Sequence, residues 1–342
     1  MNRWDASVDG RSPREAAALL QGVQFEVKRT IVGQDSAVEH LLISLLARGH
    51  CLLEGLPGLA KTLMVSTLAK VVGGQFVRIQ FTPDLVPADI IGTRIYRSSR
   101  EAFDVELGPV FAHFVLADEI NRAPAKVQSA LLEVMSEAQV SIGGHTYPVP
   151  RPFCVLATQN PIESEGVYPL PEAQRDRFLM QLRIGYPTPG EETEIVRRMS
   201  GAAPQVSPIL GPDDLVRLQK AAEAVYVDPA VVDHAVRLVV ATRDPAAAGA
   251  GDIAGYLTYG ASPRASLGLV AAARARALLS GRGFALPDDV IACAPEVLRH
   301  RLVLSYEALA DGVEADTVVQ RILATVPAPG AGVMIDRAAT GS

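Results

Sequence analysis

Residues 55–62 read Gly-Leu-Pro-Gly-Leu-Ala-Lys-Thr and follow directly on the apolar run Cys51-Leu52-Leu53. A glycine-bearing turn that delivers a lysine and a threonine suits a triphosphate. Its backbone N–H groups face phosphate oxygens, Lys61 reaches the β- and γ-phosphates, and the Thr62 hydroxyl meets Mg2+. The simplest form of this pattern has glycine immediately before the lysine, where this chain has Ala60. A methyl group is tolerated there if position 60 is already helical, because side chains are penalised chiefly at positive φ. Taken alone, the segment fits either a nucleotide clamp or an ordinary strand-to-helix turn.

A second run, Phe114-Val115-Leu116-Ala117-Asp118-Glu119, is an apolar strand ending in two acids. Asp118 can hold Mg2+ through its water shell, and Glu119 can orient water against a γ-phosphate. Singly, Asp118 reads equally as a helix cap and Glu119 as a solvated first-turn acid. Downstream of a phosphate turn, the pair points to hydrolysis of ATP or GTP.

These groups need strands that end together. The spacing predicts a helix from Pro13 to about Arg29, a short turn at Ile31-Val32-Gly33-Gln34, and a second helix carrying Val38, Leu41, Leu42, Leu45 and Leu46. Strands follow at Cys51–Glu54, Phe76–Ile79, Phe114–Ala117 and Phe153–Ala157, with helices after the phosphate turn and over Val127–Glu137. Alternation of strand and helix indicates an α/β fold with a central, mainly parallel sheet flanked by helices. Ligand chemistry in such sheets gathers at the carboxyl ends of the strands, which gathers Asp118, Glu119 and Asn160 near residues 55–62. Gly143-Gly144, centred in 139–149, predicts a hairpin.

Residues 187–190 read as a connector between an α/β core over 13–186 and a mainly helical domain over 191–325. Helices are expected at 191–199, 212–225, 229–242, 263–280, 287–294 and 294–309, the last two broken near Pro295. The polar start (1–12) and the small-residue tail (326–342) read as loose.

The 342 residues are 49% hydrophobic and 20% charged, with only 5% aromatics, which fits a soluble globular chain with closely packed helices. The net charge of −6 and only five lysines (Lys28, Lys61, Lys70, Lys126 and Lys220) disfavour a broad nucleic-acid surface. Cys51, Cys154 and Cys293 are expected to be buried thiols. His113 and His300 are read as packing or surface residues. No signal-peptide pattern and no membrane-spanning apolar run is read, so a cytoplasmic location is the simplest expectation.

Together the ordered motifs resemble the MoxR family of AAA+ ATPases, P-loop NTPases with a small helical lid. The resemblance spans about residues 15–325. It rests on Ile31-Val32-Gly33-Gln34, Gly55–Thr62 and Leu116-Ala117-Asp118-Glu119-Ile120-Asn121-Arg122-Ala123-Pro124. It continues in Ala157-Thr158-Gln159-Asn160-Pro161, Leu170-Pro171-Glu172-Ala173-Gln174-Arg175-Asp176-Arg177-Phe178 and Gly260-Ala261-Ser262-Pro263-Arg264. Ala60 is no departure from the family's usual loop.

The resemblance implies ATP and Mg2+ as cofactors, with Leu56, Pro57, Gly58, Leu59, Ala60, Lys61, Thr62 and Leu63 around the phosphates and Thr62 and Asp118 serving the metal. Glu119, Asn160 and Lys61 would act in catalysis. Arg177 would enter a neighbouring subunit's site, although Arg175 stands where the family has an apolar residue. Arg264 would reach nucleotide from the lid, and Val32, Gly33 and Gln34 would border the adenine. Gln80 is a candidate to position Glu119.

Residues 92–110 resemble the family's insertion, with Arg94, Tyr96, Arg97 and Arg100 as a basic, aromatic patch. The implied assembly is a homo-oligomeric ring, a hexamer, acting on a protein client with a von Willebrand factor A-domain partner, often in metalloenzyme activation. A nucleic-acid remodelling motor and a nucleotide-dependent adaptor are the competing readings.

Overall fold

The computed structural model describes residues 12–99, 101–160, 168–201 and 204–330. Arg100, Pro161 and the outer parts of both expected loose ends, 1–11 and 331–342, lie outside the described residues. Two compact units share the chain. One holds residues 19–178 and 182–216, and the other holds the described parts of 1–18, 179–181 and 217–342.

Along the chain, α1 (Pro13–Lys28) and α2 (Asp35–Leu46) lead into β1 (Cys51–Glu54), α3 (Lys61–Val71), β2 (Phe76–Gln80) and α4 (Pro87–Ile91). A hairpin, β3 (Gly92–Arg97) and β4 (Ala102–Leu107), precedes β5 (Phe114–Asp118) and α5 (Ala125–Glu137). A second hairpin, β6 (Gln139–Ile142) and β7 (His145–Pro148), precedes β8 (Cys154–Gln159), α6 (Glu172–Arg175), β9 (Met180–Arg183) and α7 (Pro189–Met199).

The main sheet has the order β2-β5-β8-β1-β9, and the pairs β2–β5, β5–β8 and β1–β8 are parallel. Strand β5 is buried along its whole length, which explains its unbroken apolar sequence: a parallel strand covered on both faces has no polar side to show. Parallel neighbours need crossover connections, and helices such as α3 and α5 lie within them. Leu131, Val134 and Met135 of α5 are buried, as their helical spacing predicts, in one cluster with Leu52, Val115 and Val155. Register pairs Gln80 with Asp118 and Glu54 with Gln159, so the polar ends of four strands line one edge.

Both hairpins form where polar and glycine residues allow. Gly143 and Gly144 have φ of 58° and 84°, the paired positive values that a tight two-residue turn demands. In the insertion hairpin, Arg94 stacks 4.7 Å over the Phe103 ring, and Tyr96 meets Phe103 edge-on at 5.2 Å. The expected basic patch is partly neutralised, because Arg97 pairs with Asp104 at 2.8 Å.

The second unit is mainly helical: the part of α8 (Pro212–Glu223) from Arg217 on, α9 (Pro229–Ala241), α10 (Pro263–Leu279), α11 (Pro287–Leu298), α12 (Tyr306–Ala310) and α13 (Ala315–Thr325), with β10 (Leu257–Tyr259) pairing β11 (Val303–Leu304). The break expected at Pro295, and the helix expected over 294–309, are not found. Helix α11 runs through Pro295 to Leu298, then gives way to a short 3-10 turn, β11 and α12. Burial of Val297 and Leu298 offsets the one hydrogen bond the proline removes. At this transition Arg299 donates to Asp316 at 2.8 Å and to the Gln181 carbonyl at 2.7 Å.

The three cysteines are buried free thiols, and burial pushes Cys51 up to about 12. His300 is buried, and His113 Nδ1 accepts the Gln75 amide at 3.2 Å, both packing roles. Among the described residues no helix is long and apolar enough to cross a membrane.

Candidate functional site

Strand β1 turns at Gly55, where a side chain would collide with the Ile184 carbonyl, so the close approach of the next sheet segment requires glycine. Gly58 has φ 83°. Ala60 does not meet the condition under which its methyl group would be free of penalty: it is left-handed, at φ 55° and ψ 22°, as the residue capping α3. The turn itself requires this conformation, and an L-residue holds it at a cost of roughly 1–2 kcal/mol.

Lys61 and Thr62 then open α3, whose first-turn N–H groups and positive dipole end suit an anion. Lys61 Nζ donates to the carbonyls of Gly55 at 2.5 Å and Leu56 at 2.8 Å. Partial burial lowers its pKa, while the charges of Asp118 and Glu119 pull in the other direction.

Asp118 closes β5 and is nearly buried. Its Oδ1 accepts from Thr158 Oγ1 at 2.5 Å, and its Oδ2 accepts from Arg78 Nε at 2.8 Å. Glu119 follows in left-handed backbone, φ 56° and ψ 50°, which turns its carboxylate away from the strand direction. That conformation is held by the Glu119 amide donating to Thr158 Oγ1 at 2.8 Å and by the Arg122 amide donating to Glu119 O at 2.9 Å. The Glu119 carboxylate accepts from Gln80 Nε2 at 2.8 Å and pairs with Arg122 Nε at 3.0 Å.

Gln80 therefore touches Glu119, as its strand-end position suggested. Thr158 and Arg78 were missed as site residues. Thr158 stands within the resembling run Ala157–Pro161, yet nothing local marks its hydroxyl as the bridge between two acids 40 residues away. Arg78 is signalled only by its alternation with Gln80 on β2.

Val32 and Gln34, from the loop between α1 and α2, join Gly58, Leu59, Ala60 and Leu63 in one cavity completed by Thr30, Met64, Ile195 and Met199. The wall is mostly apolar, as a flat base would require. One feature stands out: the Thr30 hydroxyl is buried without a hydrogen-bond partner. Gln34 Nε2 donates to the Gly185 carbonyl at 2.9 Å, anchoring the loop to the segment after β9.

Gly33, at φ 65°, touches the Glu191 carboxylate so closely that a methyl group would collide with it. Glu191 in turn caps α7, accepting from the Thr188 amide at 2.7 Å and hydroxyl at 2.8 Å, and these bonds hold its pKa below the usual carboxylate value. Leu56 and Pro57 lie on the phosphate turn, outside the wall of this cavity.

Asn160 directly follows the end of β8. Arg177 is exposed just after α6, and its Nη1 donates to the Leu132 carbonyl at 2.6 Å, while Arg175 is half-buried near Glu172. Arg264 lies in the other unit, as the second residue of α10, its amide capped by the Ser262 hydroxyl at 3.2 Å. Thr62 and Asp118 offer hydroxyl and carboxylate oxygens, hard donors that fit Mg2+. Among the described residues no group of three or more His, Cys, Asp or Glu side chains gathers for a metal.

Residues 50–180 match the model of the ATPase family associated with various cellular activities (AAA), and residues 249–322 match the AAA lid domain. The chain is 63% identical over 310 residues to the protein named Chaperone MoxR1 of Mycobacterium tuberculosis, covering 91% of this chain and 82% of that one. It is 35% identical to Protein MoxR of Methylorubrum extorquens, over 92% of this chain and 96% of that one. A crystal structure of a Cytophaga hutchinsonii protein superposes with a TM-score of 0.88 at 46% identity, covering 93% and 97% of the two chains.

Proposed function

The chain belongs to the MoxR family of AAA+ ATPases, and from that premise we propose that it is a Mg2+-dependent ATP hydrolase whose turnover remodels or matures a partner protein. It is an ATP-hydrolysing enzyme with an AAA+ core and a helical lid, of the chaperone-like MoxR type. The observation that carries the residue-level reading is the pairing of Asp118 and Glu119 through Thr158, on the sheet that also leads into the phosphate turn.

The reaction is in-line attack of water on the γ-phosphate. Glu119 accepts a hydrogen bond from the attacking water and orients it, held in place by Gln80 and Arg122. Lys61 leaves the Gly55 and Leu56 carbonyls for phosphate oxygens, a short swing because both partners lie on the same turn. Thr62 and Asp118 would hold Mg2+. When bound, the metal offsets charge on the phosphate oxygens.

Asp118 would serve the metal through its water shell, with its carboxylate held in place by the hydrogen bonds from Thr158 and Arg78. The apolar cavity beside Val32 and Leu63 takes the adenine. Asn160 senses the γ-phosphate, and Arg264 contacts phosphate from the lid. Arg177 completes a neighbouring subunit's site in a ring, a hexamer, by stabilising developing charge.

In this reading residues 13–186 are the nucleotide-binding core, 187–190 the connector and 191–325 the lid. The client is a protein, with a von Willebrand factor A-domain partner in a metalloenzyme system, and the location is cytoplasmic. The Arg97–Asp104 pair and the net charge of −6 favour protein over nucleic acid as the client.

The test is Glu119→Gln beside Lys61→Ala. Glu119→Gln is expected to bind ATP with little change and lose about 100-fold or more in turnover, as removal of a water-orienting group should. Lys61→Ala should lose binding as well. Turnover unchanged by Glu119→Gln refutes the assignment.

A further inference from the structure

Arg78 and Gln80 stand two residues apart on β2, so their side chains leave the same face of the strand. The Arg78 guanidinium makes contacts in two directions. Its Nε and Nη2 lie 2.8 and 2.6 Å from Asp118 Oδ2, and the same Nη2 donates to Gln80 Oε1 at 2.7 Å.

The second contact fixes the polarity of the Gln80 amide. With Oε1 engaged by the guanidinium, Nε2 is the group turned toward Glu119, where it donates to Oε2 at 2.8 Å. A reversed amide would set an NH2 group against the guanidinium and a carbonyl oxygen against a carboxylate, two repulsive contacts in place of two attractive ones. On the other side, Thr158 Oγ1 donates to Asp118 Oδ1 and accepts from the Glu119 amide. The two acids are thus joined twice, once through Thr158 and once through Arg78 and Gln80.

We propose that Arg78 is a positioning residue for ATP hydrolysis: one guanidinium clamps Asp118 and, by orienting the Gln80 amide, sets the Glu119 carboxylate. Charge alone does not account for this role, because Arg78 is half exposed and solvent screens it. What matters is a rigid planar fork whose Nε and Nη2 hold Asp118 in a fixed geometry while Nη2 reaches Gln80, whereas a lysine carries its donors on one freely rotating ammonium. The inference rests on the assignment of Asp118 and Glu119 to hydrolysis.

The experiment is steady-state ATPase kinetics on the full chain for Arg78→Ala, Gln80→Ala, the double variant and Arg78→Lys, with Glu119→Gln alongside. Each alanine variant is expected to lower kcat by about 10-fold or more while the KM for ATP moves less than about 3-fold. The double variant should be no slower than the slower single variant, because both remove the same chain of contacts. Effects that multiply in the double variant would show independent roles and overturn the proposal.

Arg78→Lys keeps a cation beside Asp118 and keeps the fold within reach if the alanine variant misfolds. It is expected to remain below half of the wild-type kcat, and wild-type kcat in Arg78→Lys overturns the proposal. If Glu119→Gln abolishes turnover while Arg78→Ala does not, the inference fails and the hydrolysis assignment stands. If Glu119→Gln stays active, the assignment itself fails.

Discussion

Thr158→Val replaces a hydroxyl by a methyl of nearly the same shape at a side chain that is 1% exposed. Two contacts disappear, the donation to Asp118 Oδ1 at 2.5 Å and the acceptance from the Glu119 amide at 2.8 Å. A hydrogen bond to an ionised carboxylate contributes about 1.5–3 kcal/mol, and an orphaned amide costs about 1–3 kcal/mol. These overlap, since one hydroxyl serves both, and the added buried methyl returns about 0.8 kcal/mol. The expected net loss is about 2–4 kcal/mol.

Thr158→Ser keeps the hydroxyl and removes only a methyl, so it should lose about 1 kcal/mol. The loss in Thr158→Val also falls on Glu119, whose left-handed backbone the lost bond helps to hold, so kcat should drop with it. The assay is urea unfolding followed by far-ultraviolet circular dichroism, with ATP turnover measured on the same preparations. Thr158→Ser should stay near wild type in turnover, and Thr158→Val should fall well below it. If Thr158→Ser is as unstable and as slow as Thr158→Val, the methyl and not the hydroxyl is what matters, and the reasoning is refuted.

Two further outcomes are expected. Thr30→Val should leave stability unchanged or raise it by about 1 kcal/mol, because the buried hydroxyl it removes has no partner. Urea unfolding that shows Thr30→Val to be clearly less stable than the wild type would contradict that account.

In the helical unit, burial by itself would raise the Asp289 pKa. Hydrogen bonds from Arg282, the Leu286 amide and Arg276 outweigh it and hold the group below the ordinary 3.8. A depressed pKa in the folded state means stability that is present above the unfolded value and lost as pH falls through the folded one, so the loss lies below about pH 4. Asp289→Asn should cost about 2–4 kcal/mol, less than a fully buried pair because both arginines are partly exposed. It should also flatten the acid limb of a melting-temperature series from pH 3 to 7, and an unchanged limb counts against this account.

Much of the candidate site is legible in the sequence because its chemistry is concentrated in short contiguous runs. Gly55–Thr62 and Asp118-Glu119 each carry their meaning in residue type and local spacing. Helix starts in the second unit are readable for the same reason: Pro229, Pro263 and Pro287 each open a helix within one turn of where the proline stands.

What is not legible depends on partners remote along the chain. Pro295 looks like a break until the burial of Val297 and Leu298 is known. Whether Ala60 is helical or left-handed is open in the sequence, and the closure of the phosphate turn sets it left-handed.

The sequence by itself determined the chemistry available to this protein: a phosphate turn, two acids at a strand end, and the α/β alternation that carries them. Only the tertiary structure decided how the acids are held. Arg78, Asp118 and Thr158 belong to β2, β5 and β8, strands that the sheet order makes adjacent though about 40 residues separate each pair. Spacing within a turn is a property of neighbouring residues and is written locally. Contact across a parallel sheet depends on strand order and register, which emerge only when the crossover helices pack and the core closes.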